Sequence, residues 1–128
     1  MSAPQIFDSK AIAIKLLELS LDSPNLEDFL KLLKELKGSD LHLSQGSKAM
    51  IRVRNTMYPM QKVAVDESVI ERICGEVLND ENKERFEKTG AVDFSIQQDN
   101  LGVFRFNVFS QRLGTTIVIR FLAASPLL

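Results

Sequence analysis

Three arginines towards the end of the chain, Arg105, Arg112 and Arg120, have the side-chain type and spacing to bind an anion. They lie in the stretch GVFRFNVFSQRLGTTIVIRFL, Gly102 to Leu122, which reads as a β-hairpin. With Gln111–Gly114 as the loop, Ser110 faces Thr115, and Phe104, Phe106 and Val108 face Phe121, Ile119 and Ile117. All six of those facing positions are apolar, and a one-residue slip would turn the whole set outward, so the pattern specifies its own register. The same register sets Arg105 directly opposite Arg120, where like charges repel. An anion is expected beside them: an acidic side chain of this domain, or a phosphate.

A preceding strand, Val92–Gln97, extends this sheet. If Gln97 faces Val103 through a turn at Gln98–Gly102, then Val92, Phe94 and Ile96 join the apolar face, Asp93 faces Asn107, and Asp93 lies diagonal to Arg105. A salt bridge from Asp93 to Arg105 is the simplest outcome. It leaves Arg112 and Arg120 solvated and a local excess of two positive charges, which favours a ligand or partner.

Other candidate chemistry is weaker. Asp40, His42 and Ser44 share one strand face and have the side-chain types of a catalytic triad. Alternate strand residues stand roughly 6.5–7 Å apart, whereas a nucleophile and its base need about 3 Å, so a polar strand face is the better reading. His42 is the only histidine and Cys74 the only cysteine. That excludes a multi-histidine or cysteine-based metal site and an internal disulfide, and Cys74 reads as a small core residue. The six glycines provide no GxxxxGK[S/T] spacing, so the chain by itself builds no P-loop. Glu67, Glu71, Asp80, Glu81, Glu84 and Glu87 fall on helix surfaces, as solvated charges. The aromatic spacing of Phe104, Phe106 and Phe109 has a faint likeness to an RNA-stacking strand, but the core requires Phe104 and Phe106.

These residues are positioned by a small domain. The 128 residues suffice for one hydrophobic core. With 16 basic and 17 acidic residues the net charge is −1, so nucleic acid is not an expected partner. Lys10, Lys15 and Glu18 interrupt any leader or membrane span, and a cytoplasmic protein is expected. A helix is predicted from Asp8 or Ser9 to about Leu21, broken by Asp22-Ser23-Pro24-Asn25, and residues 1–24 form a helical N-terminal extension. Leu26, Phe29, Leu30, Leu33 and Leu36 form the stripe of a second helix stopped by Gly38. A strand at Asp40–Ser44 follows, then a hairpin of Met50–Arg54 and Met57–Met60 about Asn55-Thr56. Two helices, one capped by Asp66 and one begun at Asn79 or Asp80, precede the last three strands. The order predicts an α+β fold with an antiparallel sheet and no parallel βαβ unit. Residues 123–128 read as the start of a linker.

Several motifs then carry a family resemblance in consistent order and spacing from about Leu26 to Leu122. Gly38-Ser39-Asp40-Leu41-His42-Leu43-Ser44 resembles the SDLHLS element of PilT-type ATPases, in the type II/IV secretion and type IV pilus motor superfamily. Met50-Ile51-Arg52-Val53-Arg54 resembles the strand that follows it, with Asn55 where the family usually has Asp-Gly. Asp93-Phe94-Ser95 matches DFS, Phe104–Arg112 is similar to F-R-V-N-x-F-x-Q-R, and Ile119-Arg120 matches the family's [F/L]-R. The resemblance implies that residues 25–122 are the PAS-like N-terminal domain, an antiparallel sheet flanked by helices, of a hexameric ATPase. Its RecA-like ATP-binding domain would follow residue 128, and this fragment would hold no catalytic residue. The resemblance further implies that Arg105, Arg112 and Arg120 reach the phosphates of ATP, that Mg2+ accompanies the nucleotide, and that the motor, with retraction favoured, works on a pilus or secretion platform protein at the bacterial inner membrane. Asp40, His42 and Ser44 are then candidates for a domain or subunit interface. A PAS-like binding or scaffold module with no nucleotide role is the alternative.

Overall fold

The computed structural model describes residues 9–19 and 24–124. The helix start at Asp8, the break at Asp22-Ser23 and residues 125–128 lie outside that range. α1 (Ser9–Glu18) sets Ile12 and Leu16, one turn apart, into the core. α2 (Leu26–Glu35) begins at a reciprocal cap, in which the Asn25 side chain accepts from the Asp28 N–H and the Asp28 carboxylate accepts from the Asn25 N–H. Its predicted stripe of Leu26, Phe29, Leu30, Leu33 and Leu36 is buried. The helix end differs from expectation. Lys37, at φ 55°, makes the left-handed exit assigned to glycine. Gly38 is needed for space instead: a Cβ there would meet Leu33 Cδ1 at 2.9 Å and the Arg52 carbonyl oxygen at 3.0 Å.

β1 (Asp40–Ser44), β2 (Ser47–Val53) and β3 (Thr56–Val65) follow. The β2–β3 turn is Arg54-Asn55, at φ 51° and 68°, one residue earlier than predicted, and Val53 pairs with Thr56. Consecutive positive φ values match the twist of a tight hairpin. α3 (Glu67–Val77) is capped by Asp66, and α4 (Asp80–Thr89) by Asn79 with Gly90 as its left-handed end. β4 (Ala91–Gln98), β5 (Gly102–Gln111) and β6 (Gly114–Ala123) complete a six-stranded sheet in the order β3-β2-β1-β6-β5-β4, every neighbouring pair antiparallel. With helices flanking it, this is the expected α+β architecture. Ala123, read as linker, still pairs with Val103.

The predicted registers hold. Phe104, Phe106 and Val108 pair with Phe121, Ile119 and Ile117, and Ser110 with Thr115. Gln97 pairs with Val103 and Asp93 with Asn107. The β5–β6 loop is shorter than predicted, since Gln111 and Gly114 pair and only Arg112-Leu113 turns. Gly114, at φ 140°, allows the chain to reverse in two residues. Phe104, Phe106, Val108, Ile117 and Ile119 are fully buried, and each such side chain contributes about 1.5–3 kcal/mol. Phe94 stacks on Phe106 with ring centres 5.5 Å apart, and Phe121 meets Phe104 edge-on at 5.6 Å.

Candidate functional site: a charged row across the sheet

Because strand side chains alternate, burying Leu41, Leu43, Ile51, Phe104, Phe106 and Ile119 sends their neighbours to the opposite face. The pairings align those neighbours in one row across five strands: Arg52, Asp40, Arg120, Arg105 and Ser95. The next row reads Met50, His42, Val118, Asn107 and Asp93. Asp93, Arg105, Asn107, Val118 and Arg120 together line an open depression of about 270 Å³.

The repulsion between Arg105 and Arg120 is relieved in opposite directions. Arg105 turns to β4, where its Nε donates to Asp93 Oδ1 at 2.9 Å and Nη2 to Oδ2 at 2.5 Å. That is the predicted salt bridge in its two-pronged form, and the hydrogen bonds from Arg105 hold the Asp93 carboxyl below the usual aspartate range. Arg120 turns to β1, with Nε 3.6 Å from Asp40 Oδ1. Asp40 is buried, and its other oxygen accepts from Arg52 Nε at 3.0 Å.

Arg120 is therefore not merely solvated, which corrects the expected balance. These two rows hold three arginines, Arg52, Arg105 and Arg120, and two acids, Asp40 and Asp93, whereas the expectation set Arg105, Arg112 and Arg120 against Asp93 alone. Sequence reading missed Arg52. Its signal lay in the first hairpin, where Asp40 and Arg52 lie six positions on either side of Gly46.

Arg112 stands apart. It occupies the hairpin tip beside Leu113, which is 82% exposed, in a second depression with Ser44, Gln45 and Thr115. Seven residues separate Arg105 from Arg112, about 24 Å along β5, more than two extended arginine side chains can bridge. The structure thus brings Arg105 and Arg120 together and leaves Arg112 at the far end.

Asp40, His42 and Ser44 share the polar face but make no relay. His42 Nε2 lies 3.9 Å from Asp40 Oδ2, and Ser44 Oγ is 3.0 Å from Thr116 Oγ1. Gln111 Nε2 also donates to Thr116 Oγ1. Among the described residues His42 Nε2 is shielded from solvent with no hydrogen-bond partner, and burial lowers the imidazole pKa against the opposing pull of Asp40. Cys74 is half-buried against the core, and burial raises its thiol pKa. Among the described residues no cluster of three or more His, Cys, Asp or Glu could hold a metal, and no helix is long and apolar enough to cross a membrane.

No family model matches the chain. Over 82 residues it is 32% identical to the type IV pilus retraction ATPase PilT of Pseudomonas aeruginosa, a match covering 64% of this chain and 24% of PilT. Over 95 residues it is 30% identical to the type IV pilus ATPase PilU of the same organism, covering 73% of this chain and 25% of PilU. A crystal structure of the pilus retraction motor PilT with bound ADP superposes with a TM-score of 0.73 at 26% identity, over 81% of this chain and 31% of the PilT chain. The chain is homologous to the N-terminal domain of PilT-type ATPases. This PilT-type domain spans about a quarter of the length of the curated relatives it matches, 24% and 25%. The ATPase DotB of Legionella pneumophila shares the fold, with a TM-score of 0.69 at 11% identity.

Proposed function

We propose that this PilT-type domain is the N-terminal part of a hexameric, cytoplasmic ATPase motor, with a type IV pilus retraction motor favoured over an extension or secretion motor. In this reading residues 25–122 are the domain, and residues 123–128 lead towards a RecA-like domain that holds most of the nucleotide. Arg105 and Arg120 supply positive charge to the phosphates of ATP, and Arg112 meets a different phosphate. The observation that carries this reading is the pair Arg105/Arg120, side by side on an exposed sheet face in a chain homologous to PilT.

The residues present suit part of a phosphate site. Two exposed guanidinium groups line one depression with Asp93, Asn107 and Val118, and arginine's planar fork matches phosphate oxygens. They provide neither a phosphate cradle nor carboxylates clustered for Mg2+, so those belong to the other domain. The chemistry left to this face is to bind phosphate charge and offset what develops during transfer. Loss of that charge on hydrolysis would remove the attraction between the domains, and repeated closing and opening around a ring would move a pilus against its inner-membrane platform protein.

The scaffold reading keeps one observation in its favour: both arginines already have acids within the domain. The coding sequence separates the two. A GxxxxGK[S/T] motif within several dozen codons after residue 128 is expected, and a stop codon directly after it would overturn the motor. In the motor protein, Arg105→Ala and Arg120→Ala should each fold and lower ATP turnover by roughly tenfold or more. Unchanged turnover in both would remove the arginines from the mechanism.

A further inference from the structure

Arg105 and Arg120 face each other in the register, yet they are held in different ways. Asp93 takes the whole side-on edge of Arg105, Nε and Nη2 together, through two hydrogen bonds. Its end-on edge remains, but with the charge already countered. Arg120 stands off its carboxylate, with Nε 3.6 Å from Asp40 Oδ1 and no hydrogen bond between them, and that carboxylate is shared with Arg52 at 3.0 Å. Among the described residues no hydrogen bond engages the Arg120 guanidinium, which is 60% exposed, so most of its charge stays available. Both arginines and Asp93 line the same depression, so an anion there meets all three.

We propose that Asp93 is a positioning residue that clasps and attenuates Arg105, so that Arg120 is the principal anion contact and Arg105 contributes fully only when Asp93 releases it. This rests on the anion-binding reading above and adds an order to it. An entering phosphate meets Arg120 first and then competes with a carboxylate already in place. Asp93 thus limits resting affinity and sharpens the response to highly charged anions, because a polyphosphate can outbid the carboxylate where a single phosphate group cannot.

The test is a titration of the 128-residue chain with inorganic triphosphate, followed through the Nε–Hε resonances of Arg105 and Arg120 in 1H–15N spectra, which also report folding. Asp93→Asn should bind about fivefold tighter or better, because it keeps the shape and removes the competing charge. Asp93→Ala should repeat the gain, so that the outcome does not depend on one substitution. Asp99→Asn, which removes an equal charge at the β4–β5 turn, should stay within about twofold of the parent. Arg120→Ala should lose more affinity than Arg105→Ala in the parent, and the two losses should become comparable when Asp93 is Asn. An Asp93→Asn protein that binds no tighter than Asp99→Asn, including the case where neither binds, overturns the clasp. Failure of the anion reading has a different signature: an Arg105→Ala, Arg120→Ala double variant that binds triphosphate as the parent does.

Discussion

His42 shows how a single side chain is set by two opposing effects. Its ring lies beside the Asp40 carboxylate, which favours the imidazolium, and near the positive Arg52 and Arg120, which oppose it. Loss of solvent outweighs the carboxylate, so the pKa falls below the ordinary histidine value. The sign for stability follows. A depressed folded-state pKa means that the unfolded chain takes up the proton first. His42 therefore costs no stability above its unfolded pKa, and stability is lost as pH falls from there through the lower folded value. An NMR titration of the His42 ring should give a midpoint below that of a histidine in a short peptide, and a midpoint at or above it would contradict this environment. Asp40 beside it is the residue whose part was least visible in advance. Its type suggested a polar strand face, and in the fold it is a buried acid between Arg52 and Arg120.

At the scale of elements, the β5–β6 hairpin presents the arginines, and its start depends on Gly102. This residue adopts φ 135°, and a Cβ would lie 2.6 Å from the Ala123 carbonyl oxygen and 2.8 Å from Phe121 Cε1. Gly102→Ala combines an unfavourable backbone conformation with a clash against a paired strand, and should cost about 2–3 kcal/mol in urea unfolding. A loss below about 0.5 kcal/mol would mean that the strand end moves freely. Helix and strand identities were legible because period and caps agree, as in α2 with its leucine stripe and its Asn25/Asp28 cap. Turn positions were less legible. Arg54-Asn55 and Arg112-Leu113 displaced the expected turns because pairing runs on to Val53–Thr56 and to Gln111–Gly114, and arginine and leucine are not turn residues by composition.

Across the whole molecule, the sheet order β3-β2-β1-β6-β5-β4 sorts the charges. Inserting β1 between β2 and β6 places Asp40 against Arg120, eighty positions away in sequence. The length of β5 does the reverse and separates Arg112 from the arginine pair. Arg112→Ala should accordingly leave triphosphate affinity of the chain within about twofold, and a loss as large as that of Arg120→Ala would mean that the hairpin bends the two ends together. What the amino-acid order determined by itself was local and periodic: the helices, the alternation of the strands, the hairpin registers that set Arg105 opposite Arg120 and diagonal to Asp93, and the motifs shared with PilT-type ATPases. Adjacent strands joined by short loops leave register few alternatives, so pattern alone decides it. Only the tertiary structure decided which non-consecutive strands meet, and with that which acid answers Arg120 and how its charge is shared with Arg52. Those outcomes depend on β1 pairing with β6, a long-range contact on which the period of a sequence carries no information.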